Sequence, residues 1–155
     1  MKVIILRGLP GSGKSSYVRR LRQENVGCQV VVVSSDYFFE EEGEYNFDPS
    51  KLGEAHGKCL VCFIHEIERR FDRKDFILVV DNTNVTLVEM APYVAISQAY
   101  GLELHIVDCK CSITNSVKRN THGVPESTVF KMAELWQGDN EFPSYWPKPL
   151  VFETD

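Results

Sequence analysis

Residues Gly8-Leu9-Pro10-Gly11-Ser12-Gly13-Lys14-Ser15 fit the pattern G-x-x-x-x-G-K-[ST] at every fixed position. An apolar, β-branched run from Lys2 to Arg7 stops at Gly8, and a helical pattern starts at Lys14 with Tyr17, Val18 and Leu21 on one face. A glycine-rich turn between a buried strand and a helix N-terminus points successive backbone N–H groups inward, which suits an anion. The helix adds partial positive charge at the same point. Such a Walker A loop would cradle the phosphates of ATP, with Gly8, Pro10, Gly11, Ser12, Gly13 and Ser16 shaping the nest. Lys14 would bridge the β- and γ-phosphates, and the Ser15 hydroxyl would bind Mg²⁺.

The rest of the chain alternates strands with helices. Residues 29–34, 76–80 and 102–107 read as further buried strands, and helices are expected over 14–25, 49–70, 87–100, 113–120 and 125–137. In the 49–70 helix, Leu52, Ala55, Cys59, Phe63 and Ile67 recur at spacings of three and four. Segment 35–48 is expected to be irregular and acidic, with Glu40, Glu41, Glu42 and Glu44 around Gly43. This order predicts an α/β, three-layer P-loop fold of the kinase type, with a mostly parallel sheet of four to five strands. One domain over 1–155 is expected, with 138–155 an extended tail holding Phe142, Tyr145, Trp146 and three prolines. Ligands of such sheets sit beyond the carboxyl ends of the strands, so loops 8–14, 35–40 and 81–86 should converge.

Two acids stand at those ends. Asp81 closes the run FILVV, the setting for a carboxylate that holds Mg²⁺ or its waters. Asp36 closes the second strand within Ser34-Ser35-Asp36-Tyr37-Phe38-Phe39, where a carboxylate can take the proton of an attacking hydroxyl. Either could instead cap a turn. Phosphoryl transfer also calls for a cation that closes over the γ-phosphate. In Lys118-Arg119-Asn120-Thr121-His122-Gly123, Arg119 is the first candidate and Lys118 the second, although a solvated helix terminus would look the same. His122 reads as a loop residue without a chemical role.

A net charge of −5 lacks the basic footprint of a protein that tracks nucleic acid. The clusters Arg19, Arg20, Arg22 and Arg69, Arg70, Arg73, Lys74 read as solvated helix faces. No secretory leader is legible, and no apolar run approaches the roughly 20 residues of a membrane span. A soluble intracellular protein, cytoplasmic or nuclear and with no membrane partner, is therefore expected. The five cysteines (28, 59, 62, 109 and 111) read as reduced thiols. Zinc at Cys59-x-x-Cys62 and Cys109-x-Cys111 is disfavoured because the first pair falls inside a helix.

The segments GLPGSGKSS, SSDYFF, YNFDPSKLGEAH, VVDNTNVTLVEMAPYVAISQAYG and KRNTHGVPESTVFKMAELW follow one another over most of the chain. Together they resemble the polynucleotide-kinase-like P-loop domain of ubiquitin-ligase-binding proteins and small bacterial ATP-binding proteins, within the AAA-type zeta-toxin and polynucleotide kinase group. The phage polynucleotide 5′-hydroxyl kinase is a more distant relative. The resemblance implies Lys14 and Ser15 on phosphate and magnesium, Asp36 as general base on an acceptor 5′-hydroxyl, and Arg119 as a lid arginine on ATP phosphates. It places Asn82, Thr83 and Asn84 beside the active site. Phe39 stands, on the substrate side, where the phage enzyme has an arginine for the acceptor phosphate, and His122-Gly123 replaces its second lid arginine region. The implied function is ATP- and Mg²⁺-dependent transfer of a γ-phosphoryl group to a hydroxyl, with a polynucleotide or nucleotide 5′-end as acceptor partner. A nucleoside, sugar or toxin-type kinase, and a catalytically silent ATP-binding interaction module, are the alternatives.

Overall fold

The runs 3–6 and 76–80 are apolar on both faces, as strands covered on both sides of a sheet require. The computed structural model describes residues 1–41 and 44–154. Glu42 and Gly43 of the acidic segment lie outside the described residues. In chain order the elements are β1 (Lys2–Arg7), α1 (Lys14–Glu24), β2 (Gln29–Val33), a 3₁₀ turn (Ser35–Phe39), β3 (Glu40–Glu41), β4 (Glu44–Tyr45) and α2 (Leu52–Arg70). They continue with β5 (Phe76–Asp81), α3 (Leu87–Ala99), β6 (Glu103–Lys110), α4 (Ile113–Arg119), α5 (Glu126–Glu134) and β7 (Leu150–Glu153).

The fold is α/β, with five parallel strands in the order β2-β5-β1-β6-β7. Strand alternation divides the core in two. Val3, Ile5, Phe76, Leu78, Val80 and Ile106 meet Cys59, Phe63 and Ile67 of α2 and Met90, Tyr93 and Val94 of α3. From the opposite face Ile4, Leu6, Ile77, Val79 and Val107 meet Val18 and Leu21 of α1.

Several boundaries differ from the sequence reading. Segment 35–48 is not irregular throughout: it forms the 3₁₀ turn and the short β3–β4 hairpin, with Glu40 opposite Tyr45. The fourth predicted strand runs on to Lys110 because β7 pairs alongside its end, from Val107–Leu150 to Lys110–Glu153. Helix α1 stops at Glu24, where the N–H and the side-chain amide of Asn25 both donate to the Leu21 carbonyl. Trp146 is buried against the α2–α3 side of the core, with Phe142 edge-on at 5.5 Å.

Candidate active site

Loops 8–14, 35–40 and 81–86 do converge, and they are laced together by hydrogen bonds. The Gly8 N–H donates to the Thr83 carbonyl at 3.0 Å. The Asn82 Oδ1 accepts from both the N–H and the hydroxyl of Ser35, at 2.8 and 2.9 Å. The Asn84 amide donates to the Leu6 carbonyl at 2.6 Å. Asn84 holds a left-handed backbone with φ 47°, which asparagine tolerates better than most residues. Immediately after this loop, Thr86 and Glu89 form a capping box that starts α3.

Within the phosphate loop, Gly11 and Gly13 have φ of 80° and 95°. A Cβ on Gly11 would lie 2.2 Å from the Ser116 carbonyl oxygen, so only glycine lets α4 dock here. The Ser116 hydroxyl donates to the Pro10 carbonyl at 2.5 Å. Lys14 Nζ folds onto the Gly8 and Leu9 carbonyls at 3.0 and 3.2 Å. Among the described residues the buried Ser12 hydroxyl has no hydrogen-bond partner. A backbone cradle with an ammonium folded across it and an orphan hydroxyl beneath fits a polyphosphate ligand.

Ser15 and Asp81, the two residues expected to hold magnesium, line one cleft of about 480 Å³ together with Arg19, Arg22 and Tyr37. Burial pushes the Asp81 carboxyl up; Lys14 pulls it down, and Asp36 adds to the rise. A divalent cation here would offset that burial, so the donor set fits Mg²⁺. The Arg19-Arg20-Arg22 cluster is divided by the helix. Arg20 pairs with Glu24 at 2.6 Å, whereas Arg19 and Arg22 face the cleft.

Asp36 lies in the 3₁₀ turn, its N–H held by the Ser34 hydroxyl at 3.2 Å. The Tyr45 hydroxyl donates to Asp36 Oδ1 at 3.3 Å. Burial, reinforced by the Asp36 charge, pushes the Tyr45 hydroxyl up to about 12, so it stays a donor at neutral pH. Phe39, Asn82 and Asn84, expected on the substrate side, are buried. Arg119 reaches the carbonyl of Thr154 at 2.5 Å, while the Thr154 hydroxyl donates to Ser12 O at 2.9 Å. Lys118 is exposed. The His122 ring, in the loop after α4, packs 4.8 Å from the Tyr45 ring.

Four contributors escaped the sequence reading: Arg7, Tyr45, Ser116 and Thr154. Arg7 is wholly buried at the end of β1. It donates to the carbonyls of Asn84, Val85 and Gln137 at 2.9, 3.2 and 2.7 Å, and to Asp108 at 3.3 Å. Its guanidinium lies 4.2 Å from the Trp136 ring centroid. The one available signal was a charge inside an apolar strand that ends against the phosphate loop. Among the described residues no group of three or more His, Cys, Asp or Glu side chains could hold a metal, and the buried Cys59 sulfur instead accepts from Asn82 at 3.6 Å. No described helix is long and apolar enough to cross a membrane.

Residues 3–131 match the family model described as AAA domain. Human NEDD4-binding protein 2 is 35% identical over 139 residues, which cover 87% of this chain but 8% of that protein. The chain thus spans a small part of this relative's length. Among solved structures, a chain of the Pnkp1/Rnl/Hen1 RNA repair complex aligns with a TM-score of 0.65 and 21% identity, covering 86% of this chain and 43% of the other. The Mycobacterium tuberculosis APS kinase CysC, in complex with AMPPNP and APS, aligns at 0.59 and 16% identity, covering 99% and 90%. At these identities the structural likeness concerns the fold, which is that of the P-loop kinases.

Proposed function

The chain belongs to the AAA-domain family, and from that premise we propose that it is an ATP- and Mg²⁺-dependent phosphotransferase acting on a hydroxyl, with a polynucleotide or nucleotide 5′-hydroxyl as acceptor. The observation that carries this reading is the placement of Asp36. Its loop is fastened through Ser35 and Asn82 to the same segment whose Thr83 carbonyl fixes Gly8, so base and phosphate cradle share one frame.

In the proposed reaction, Asp36 accepts the proton of the acceptor hydroxyl as its oxygen bonds to the γ-phosphorus. The bond from that phosphorus to the β–γ bridging oxygen breaks, and ADP leaves. Lys14 moves from the loop carbonyls to the phosphate oxygens, and the backbone N–H groups of residues 13–16 hold the chain of phosphates. Ser15 and Asp81 would hold Mg²⁺, which supplies neutralisation of the charge on the β- and γ-oxygens. Arg119 exchanges the Thr154 carbonyl for the γ-phosphate. Residues 1–155 act as one catalytic domain in this account.

The neighbour from an RNA repair complex favours a nucleic-acid acceptor. A small-molecule acceptor is the second reading, favoured by the neighbour bound to APS and by the net charge of −5. The test is transfer from γ-labelled ATP to a panel of 5′-hydroxyl DNA and RNA oligonucleotides, nucleosides and sugars. Labelled oligonucleotide ends are the expected result. Label on a nucleoside or sugar alone would replace the acceptor, and ATP binding without label on any acceptor would make the chain a silent binding module.

A further inference from the structure

We propose that the aromatic hairpin beside Asp36, built from Tyr45 and Phe47 with His122 against it, is the platform on which the terminal base of the acceptor stacks. The inference rests on Asp36 being the base of the transfer reaction. Tyr45 is one hydrogen bond from the Asp36 carboxylate, at 3.3 Å. In a nucleoside the reacting 5′-oxygen and the base are separated by one ribose and project from the same face of it. An acceptor whose 5′-hydroxyl reaches Asp36 therefore brings its own base to within a sugar's width of that carboxylate, where these rings lie.

The rings are fixed in advance. Phe39, 5% exposed, sits edge-on to Phe47 at 5.0 Å and to Tyr45 at 6.3 Å. The Tyr45 and Phe47 planes lie within 9° of parallel, with centroids 6.4 Å apart. Phe47 nonetheless leaves 49% of its surface in solvent. A large ring held rigid, partly bare and stacked beside the tyrosine that bonds the candidate base is suited to a flat, π-bearing group, because any nucleobase can stack on it without hydrogen-bond readout. A polyol would find no matching donors on these faces. His122 adds a ring from the loop that follows Arg119, 4.8 Å from Tyr45, so the platform is completed by the same segment that carries the lid cation.

The experiment compares two 5′-hydroxyl oligonucleotides that are identical except that one lacks the base of its terminal nucleotide. With the unaltered protein, KM for the abasic acceptor should be about tenfold higher. Phe47→Ala should raise KM for the intact acceptor by a similar factor and narrow the difference between the two acceptors. Label transferred to both oligonucleotides with equal KM overturns the platform while leaving the kinase reading in place. A preference for the intact end that Phe47→Ala does not reduce overturns these rings as its source. Failure to label either oligonucleotide overturns the acceptor reading and the platform together.

Discussion

Asp81, proposed above as a Mg²⁺ ligand, carries a cost in stability. It ends a fully buried strand, and burial pushes its carboxyl above the ordinary 3.8. The folded state therefore binds this proton more tightly than the unfolded chain does. For an acid raised in this way, stability falls as pH rises from about the ordinary carboxyl range through the folded pKa, and the burden is fully present above it. Asp81→Asn should accordingly raise the thermal midpoint of the nucleotide-free protein at pH 7, with the gap closing toward pH 4, while weakening Mg²⁺-ATP binding. Melting curves across pH with and without Mg²⁺-ATP check both halves; a lower midpoint at neutral pH would contradict them. Asp81 and Asp36 were legible in the sequence because an acid that stops an apolar run is informative by itself. Tyr45 was not, since its meaning comes from a hydroxyl that folds back across a hairpin to Asp36.

Elements meet around Arg7. One guanidinium joins the end of β1 to the loop after β5, to Asp108 on β6 and to the segment after α5. Burial works against both charges of the Arg7–Asp108 pair, and their mutual attraction opposes it. Removing one partner leaves the other buried and uncompensated. Arg7→Met is expected to destabilise the fold by about 3–5 kcal/mol, lowering the urea midpoint by roughly 1–2 M; an unchanged midpoint would refute this role. The central strands were legible from continuous apolar runs, which only a sheet buried on both faces explains. The hairpin was not, because two residues per strand are too few to show alternation. Strand β7 was hidden as well: Leu150–Glu153 is a short, largely exposed edge segment whose pairing partner lies more than forty residues earlier.

At the scale of the whole molecule, the fold sets three strand-end loops on one edge of the sheet and closes that edge with α4, which docks on the phosphate loop through Gly11 and Ser116. The loop proposed to hold the donor was readable from the G-x-x-x-x-G-K-[ST] pattern, because its geometry is local in sequence. The cluster beside Asp36 was only partly readable, since Asp36, Tyr45 and His122 come together from three segments through tertiary contact. In the proposed reaction Asp36 acts on the acceptor while the Gly8–Ser15 loop independently holds ATP. The most direct measurement sets the rate of transfer from γ-labelled ATP to a 5′-hydroxyl oligonucleotide beside ATP affinity, for the unaltered protein and for Asp36→Asn. Transfer is expected to fall about 10²–10⁴-fold in Asp36→Asn, with ATP affinity within a few-fold of the original. Transfer that persists undiminished in Asp36→Asn, or ATP affinity lost in step with it, would contradict the claim.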